Sequence, residues 1–293
     1  RFDFDLGRAA QLGLVQVGLC AALAFLSFQI AIPQARLAGL DGVAERWDVG
    51  VMPKVLDFTI IALAVLFLLT PLVMLLWRGA PFLFDLPISI WRAVVVSLSV
   101  ALVSTAIVLG AALSLALAGQ RMARGEAWGS ALSALILATS PLVMGSGLFI
   151  MLFPFVNPLT LALPVTIAVN VVLALPFALR VIQPALRAVE EAYGPVADSL
   201  GMAGWARLRW LLLPRLRRPL GFAAGLSAAL SMGDLGVIAL FANPDYQTLP
   251  LAMYQLMAAY RLEQAAGAAL LLLALSFALF WLFDRGGRAD ADI

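Results

Sequence analysis

Apolar runs long enough to cross a bilayer dominate this chain and leave it few folds to choose from. Crossing ~30 Å of hydrocarbon takes about 20 residues of helix at 1.5 Å each. Runs of that order fall at 10–32, 55–77, 93–119, 129–154, 161–182, 219–242 and 265–283. With 63% of 293 residues hydrophobic and 12% charged, no single soluble core could bury so much apolar surface. The expectation is an all-α polytopic membrane protein with about seven transmembrane helices, its partner medium the lipid bilayer.

Charge sets the orientation. The net charge is only +2, so nucleic acid is not an implied partner, and eighteen of the nineteen basic residues are Arg. Arg and Lys are retained on the cytoplasmic side. The segment 180–218, which includes the coupling loop 183–218, carries Arg180, Arg187, Arg207, Arg209, Arg215, Arg217 and Arg218 against Glu190, Glu191 and Asp198, and is therefore placed in the cytoplasm. Alternation puts 33–54, 120–128 and the C-terminus inside. The N-terminus and the segments 78–92, 155–160 and 243–264, each with two Arg or fewer, fall outside.

The residues present also exclude chemistry. There is no His, and Cys20 stands alone in an apolar run, so disulfides, metal sites and His-based acid–base catalysis are unsupported. The single lysine, Lys54, follows no glycine-rich loop, so any ATP with its Mg must be bound by a partner.

Two observations bear on organisation. The chain begins with Arg, with no signal-peptide pattern, which suggests a fragment of a longer protein. Shifting by 256 positions lays residues 4–26 on 260–282 with eight identities, among them Ala9 and Ala10 on Ala265 and Ala266. On this reading residues 1–32 are the last helix of an incomplete first unit, 33–54 is a cytoplasmic linker, and 55–293 is a second unit of six helices.

The stretch EEAYGPVADSLGMAGWARLRWLLLPRLRRPL, 190–220, carries the sharpest pattern. After Gly194-Pro195, a short helix over about 195–204 places Val196, Leu200 and Ala203 on one side and Asp198 and Ser199 toward the other. Such an element either docks in a groove of another protein or lies on lipid headgroups.

Gly201, then nine residues, then Leu211-x-Leu213-Pro214 resembles the EAA loop of ABC-importer permeases, whose pattern is EAA, three residues, Gly, nine residues, Ile-x-Leu-Pro. The EAA positions hold Pro195, Val196 and Ala197, so only the last alanine agrees; Leu211 replaces Ile, and Glu191-Ala192 lies one turn early. The resemblance implies a type I importer (MetI-like) permease fold. It also implies a coupling element formed by Glu191, Val196, Ala197, Ser199, Leu200, Gly201, Ala203, Leu213 and Pro214, seated on a cytoplasmic ATPase dimer. A small residue at Gly201 would let that partner's backbone approach closely.

Further on, SMGDLGVIALFANPDYQTLPLAMYQLMAAYR, 231–261, is similar to the thiamine and thiamine pyrophosphate permease family, in which two six-helix units are fused in one chain. That similarity extends to SLGMAGWARLRWLLLPRLRRPL and to the opening FDFDLGRAA. It implies an inner-membrane permease without an ATPase site, a missing first unit, and a periplasmic binding protein docking on 78–92 and 243–264. Permeases for ferric ion, sulfate, molybdate or a polyamine, a membrane scaffold and an intramembrane enzyme are the alternatives. The enzyme lacks any nucleophile–base pair.

Asp234 reads as a charge inside the helix 219–242, where it costs roughly 2.5 to 3.5 kcal/mol at the centre. It can attract a cationic solute, cap backbone freed near Gly233 and Gly236, or reach water from the outer third of the membrane. Asn170 and Ser231 join Gly233, Asp234 and Gly236 as expected path-lining or gating residues, with Ser146 and Ser227 as further intramembrane polar groups. Pro141, Pro164 and Pro176 are expected to break or kink their helices, and Tyr246 and Tyr254 to anchor at the interface.

Overall fold

A computed structural model describes residues 51–120, 125–155, 158–239 and 247–288, together with Met122 and a few positions between 11 and 22. The proposed helix at 10–32, Cys20, most of the 33–54 linker and Tyr246 thus lie outside the described residues. Every described element is helical. In chain order they are α1 (Val51–Gly79), α2 (Ile88–Gln120), α3 (Gly125–Ala138), α4 (Pro141–Leu152), α5 (Ala162–Ser199), α6 (Leu213–Met232), α7 (Leu249–Ala258) and α8 (Leu262–Arg288). Lys54 therefore belongs to the first turns of α1 and not to a linker.

Four of these helices, α1, α2, α5 and α8, are long and apolar enough to cross a membrane, and the bent pair α3–α4 has the length and composition of a broken span or a re-entrant loop. Three of the expected spans differ from simple rods. The run 129–154 is two helices meeting at 84°. Ser140 is extended (φ −75°, ψ 138°) because the ring of Pro141 disfavours the helical conformation in the residue before it. The break expected at Pro141 is thus present.

The run 161–182 does not stop where expected. α5 continues for 38 residues through Pro176, Pro184 and Pro195 to Ser199, absorbing the first half of the short helix expected over 195–204. Pro164 sits in its first turn, where a missing N–H is harmless. At 1.5 Å per residue α5 measures about 57 Å, so roughly half of it projects beyond ~30 Å of hydrocarbon.

The run 219–242 is shorter than expected. α6 ends at Met232 with Gly233 as its cap, and residues 236–239 form turns. Asp234 therefore stands outside any helix.

α5 and α6 lie side by side, with α2 against both and α8 along the other flank of α6. Ala178, Leu179, Ile182, Leu186 and Leu216 form the centre of the largest core cluster. α6 and α8 approach backbone to backbone: a Cβ added at Gly221 would meet the Phe283 carbonyl oxygen at 2.6 Å, and one at Gly225 the Phe280 carbonyl oxygen at 2.8 Å. Small residues at such crossings replace the hydrophobic driving force that lipid does not supply. α1 packs mainly on α8 and leaves Phe58, Phe67 and Trp77 exposed, as apolar side chains facing lipid or another membrane unit would be.

Within 243–264, expected as an outer loop, Leu249–Ala258 form the helix α7. Leu249, Leu251, Ala252 and Leu256 are buried, and the Leu249 N–H donates to Ser97 Oγ at 2.7 Å. QTLP is therefore a docked helix entrance, while Tyr254, Met257 and Tyr260 remain exposed. Tyr260 closes α7 with a left-handed backbone (φ 58°), where a glycine would carry no strain.

Candidate functional site: a membrane-depth cavity and a projecting hairpin

The break between α3 and α4, the first half of α5 and the end of α6 border a cavity of about 440 Å³. Four of the five residues expected to line a path, Asn170, Ser231, Gly233 and Asp234, are brought together in its wall. The fifth, Gly236, lies just behind, where an added Cβ would sit 3.4 Å from Pro141 Cβ.

Asn170 and Ser231 are buried, and Asn170 Nδ2 donates to Ser231 Oγ at 2.7 Å, joining α5 to α6. Asp234 Oδ1 accepts the Gly236 N–H at 3.1 Å, an Asx turn that shapes the chain just after the helix ends. Its Oδ2 is buried and meets no hydrogen-bond partner among the described residues. The remaining wall is mostly apolar, with Ile136, Leu137, Leu173 and Phe177. A mostly apolar cavity holding one carboxylate, one amide and two hydroxyls, those of Ser231 and Thr139, has the makeup of a small-molecule site. Ser146 and Ser227 donate to carbonyls of their own helices, Val143 and Ala223, and do not line this cavity.

At its far end α5 turns back in a hairpin. Met202 N–H donates to the Ala197 carbonyl at 2.9 Å and Gly201 N–H to Asp198 at 3.0 Å, the paired bonds of a Schellman cap. Gly201 occupies the left-handed position of that cap (φ 65°), and an added Cβ would meet nothing within 4 Å. The residue type is therefore set by the backbone of this turn, whatever approaches it from outside. One turn of helix, Gly204–Arg207, and a π-helical turn, Leu208–Leu212, then lead into α6.

Two arginines, Arg207 from the returning arm of the hairpin and Arg215 from the start of α6, clamp it to α5. Arg207 Nη1 donates to Asp198 Oδ1 at 2.6 Å, and its Nε and Nη2 donate to the two carboxylate oxygens of Glu190. These bonds, Glu190's first, hold the Arg207 guanidinium above its ordinary pKa. Its head lies close over Gly194, 3.1 Å from where a Cβ would be. Arg215 stacks on Tyr193 with Cζ 4.1 Å from the ring centroid and donates to its hydroxyl.

Of the residues expected to couple, Val196, Ser199, Leu200, Gly201 and Ala203 form an exposed tip, and Glu191 is exposed one turn before it. Ala197 is buried, with Leu213 partly buried and Pro214 exposed at the start of α6. Trp205, 68% exposed, belongs to the same tip and was not singled out from sequence, nor were the clamps. An N-capping or spacing rule could not find Arg207 because its partners lie 9 and 17 residues away. Val196, Leu200 and Trp205 are exposed large apolar side chains of this tip.

The family model for the binding-protein-dependent transport system inner membrane component matches residues 110–288, which covers both the cavity and the hairpin. The chain belongs to that family and is an integral, multi-pass membrane protein. Its curated relatives include the thiamine transport system permease proteins ThiP of Salmonella typhimurium, 34% identical over 99% of this chain and 56% of that protein, and of Escherichia coli, 33% identical over 97% and 54%. The protein of the same description from Haemophilus influenzae is 31% identical over 99% of this chain and 55% of its own length. This chain thus spans about half the length of the curated relatives it matches.

Proposed function

We infer that this chain is the second permease unit of a binding-protein-dependent ABC importer, and that its solute is thiamine or thiamine pyrophosphate. The observation that carries the reading is the one-third identity to thiamine permeases along nearly the whole chain, from hairpin to cavity. The other half of those relatives' length supports a first permease unit as its membrane partner. ATP and Mg are held by a cytoplasmic ATPase dimer, and a periplasmic binding protein delivers the solute to the face bearing Tyr254 and Tyr260. On this reading the hairpin is cytoplasmic, as its arginines favour.

The geometry supplies a route for coupling. Asn170 in the cavity wall and Asp198 at the hairpin lie on the one helix α5, about 42 Å apart along its axis. α6 runs alongside, tied to α5 by Asn170–Ser231 at the cavity and by the Arg207 and Arg215 clamps at the hairpin. A displacement imposed on the tip Val196–Leu200–Trp205 therefore reaches the cavity through two helices moving together. Asp234 acts in this scheme by holding the bend after α6, which makes it a gating and structural residue more than a solute ligand.

The test is uptake of labelled thiamine by the full-length permease with its ATPase and binding protein. ATP-dependent accumulation is expected. Uptake of an unrelated solute with none of thiamine would overturn the assignment of substrate while leaving the class standing.

A further inference from the structure

A second cavity, of about 640 Å³, lies between α2, the start of α6 and the end of α8, and shares no residue with the first. Its wall combines Leu220, Ala224 and Phe283, on the membrane-embedded parts of α6 and α8, with Arg209, Arg217 and Trp210. Trp210 is 72% exposed, and the Arg209 guanidinium carbon lies 5.8 Å from its ring centroid. Nearby on α8, Arg285 lies over the exposed ring of Trp281 at 4.9 Å. Tryptophan and arginine at this level mark the boundary between hydrocarbon and headgroups.

Residues 207–218 hold five arginines and no acid. Arg207 is engaged by Glu190 and Asp198 and Arg215 by Tyr193, and the two guanidinia that line the cavity are those of Arg209 and Arg217. On the last turns of α8, Asp284 is already paired with Arg288 at 2.7 Å. A soluble subunit could meet the arginines but could not follow the apolar wall up between membrane helices. A diacyl lipid matches both halves, with phosphate at the guanidinia and a chain along Leu220 and Phe283.

We propose that this cavity binds an anionic phospholipid, of the phosphatidylglycerol type, from the leaflet on the hairpin side. The site rests on the orientation given above but not on the identity of the solute. Basic pockets between membrane helices on the cytoplasmic side are suited to such headgroups, and each arginine near the surface contributes about a fivefold preference for an anionic lipid.

The experiment is native mass spectrometry of the full-length permease–ATPase complex, extracted in mild detergent and exchanged against phosphatidylglycerol or phosphatidylcholine. Retention of phosphatidylglycerol over phosphatidylcholine is expected, falling about fivefold for Arg209→Gln and further for Arg209→Gln with Arg217→Gln. Arg180→Gln, outside the cavity, should leave retention unchanged. If the double variant does not assemble, Ala224→Phe fills the apolar half with the charges intact and should reduce retention by itself. Glycerol phosphate at millimolar concentration should not compete; if it displaces the lipid as well as phosphatidylglycerol does, the site is one for a soluble phosphate and the proposal fails. Equal retention of the two lipids, or an equal loss in Arg180→Gln, overturns it too. Because the readout is lipid mass, it stands or falls separately from thiamine uptake.

Discussion

The hairpin and the cavity sit at opposite ends of the α5–α6 pair and are held together by opposite means. At the hairpin, guanidinia reach carboxylates and a tyrosine in water, with Asp198 69% exposed and Glu190 only 21%. Several such bonds share the work, and each alone contributes little because solvent screens it. At the cavity a single amide–hydroxyl bond and a single carboxylate stand among apolar side chains, where nothing replaces a lost partner. The hairpin should therefore tolerate conservative exchange, and the cavity should not.

The largest effect is expected at Asp234. Asp234→Ala removes the Asx turn and should cut uptake by tenfold or more, roughly 1.4 kcal/mol or above, in vesicles of matched permease content. Asp234→Asn keeps an acceptor for Gly236 and should retain assembly. If Asn lowers affinity for cationic solute selectively while leaving binding-protein-stimulated ATPase activity intact, the carboxylate is a ligand and the contrast drawn here breaks.

Next comes Gly201, which with Gly204 (φ 57°) is one of two left-handed glycines in the hairpin. Gly201→Ala should cost about 1 to 2 kcal/mol of local stability through its left-handed φ, and reduce coupled uptake. Gly201→Asn, which tolerates that conformation, should restore most of it. Equal damage from Asn and Ala would show that close approach of the partner matters more than the cap. A large residue such as Trp at this position combines both penalties and should abolish uptake with insertion preserved.

A smaller loss is expected from Arg207→Ala, about 0.5 to 1 kcal/mol for a partly exposed pair of ion pairs. Uptake should fall a few-fold, Arg207→Lys should recover part of it, and the loss should shrink as salt is raised. A collapse of uptake comparable to Asp234→Ala would erase the distinction between the two ends. The smallest effect is a gain: Tyr260→Gly relieves a left-handed tyrosine and should raise thermal stability by about 0.5 to 1 kcal/mol. If uptake drops at the same time without loss of ATPase activity, the exposed ring serves docking on the outer face.

Much of this arrangement was readable before the structure, and the failures have physical causes. Pro141 after Ser140 announced the break between α3 and α4. The spacing from Gly201 to Leu213-Pro214 singled out this segment as a coupling element but not its hairpin shape, and its glycine proved to be a helix cap whose left-handed backbone by itself favours that residue type. α5 was read too short because prolines and charges after Arg180 look like the end of a span, yet a helix leaving the membrane needs no apolar residues to continue. α6 was read too long because Leu235, Val237 and Ile238 are as apolar as any helix. Hydropathy reports burial, not backbone conformation, and Val237 and Ile238 are fully buried in turns. The closely spaced Gly233, Asp234 and Gly236 were the signal that the helix had ended.

The sequence by itself determined that the chain lies in a membrane, which segments are polar enough to leave it, and where glycine and proline interrupt the helices. These follow from local composition and backbone sterics, which need no neighbour. Tertiary structure alone decided that Asn170 meets Ser231 across 61 positions, that Arg207 bridges Glu190 and Asp198, and that an apolar wall ends at Arg209 and Arg217. Each of those pairings depends on how α2, α5, α6 and α8 cross, and small residues such as Gly221 and Gly225 permit a close crossing without specifying which side chains it brings together.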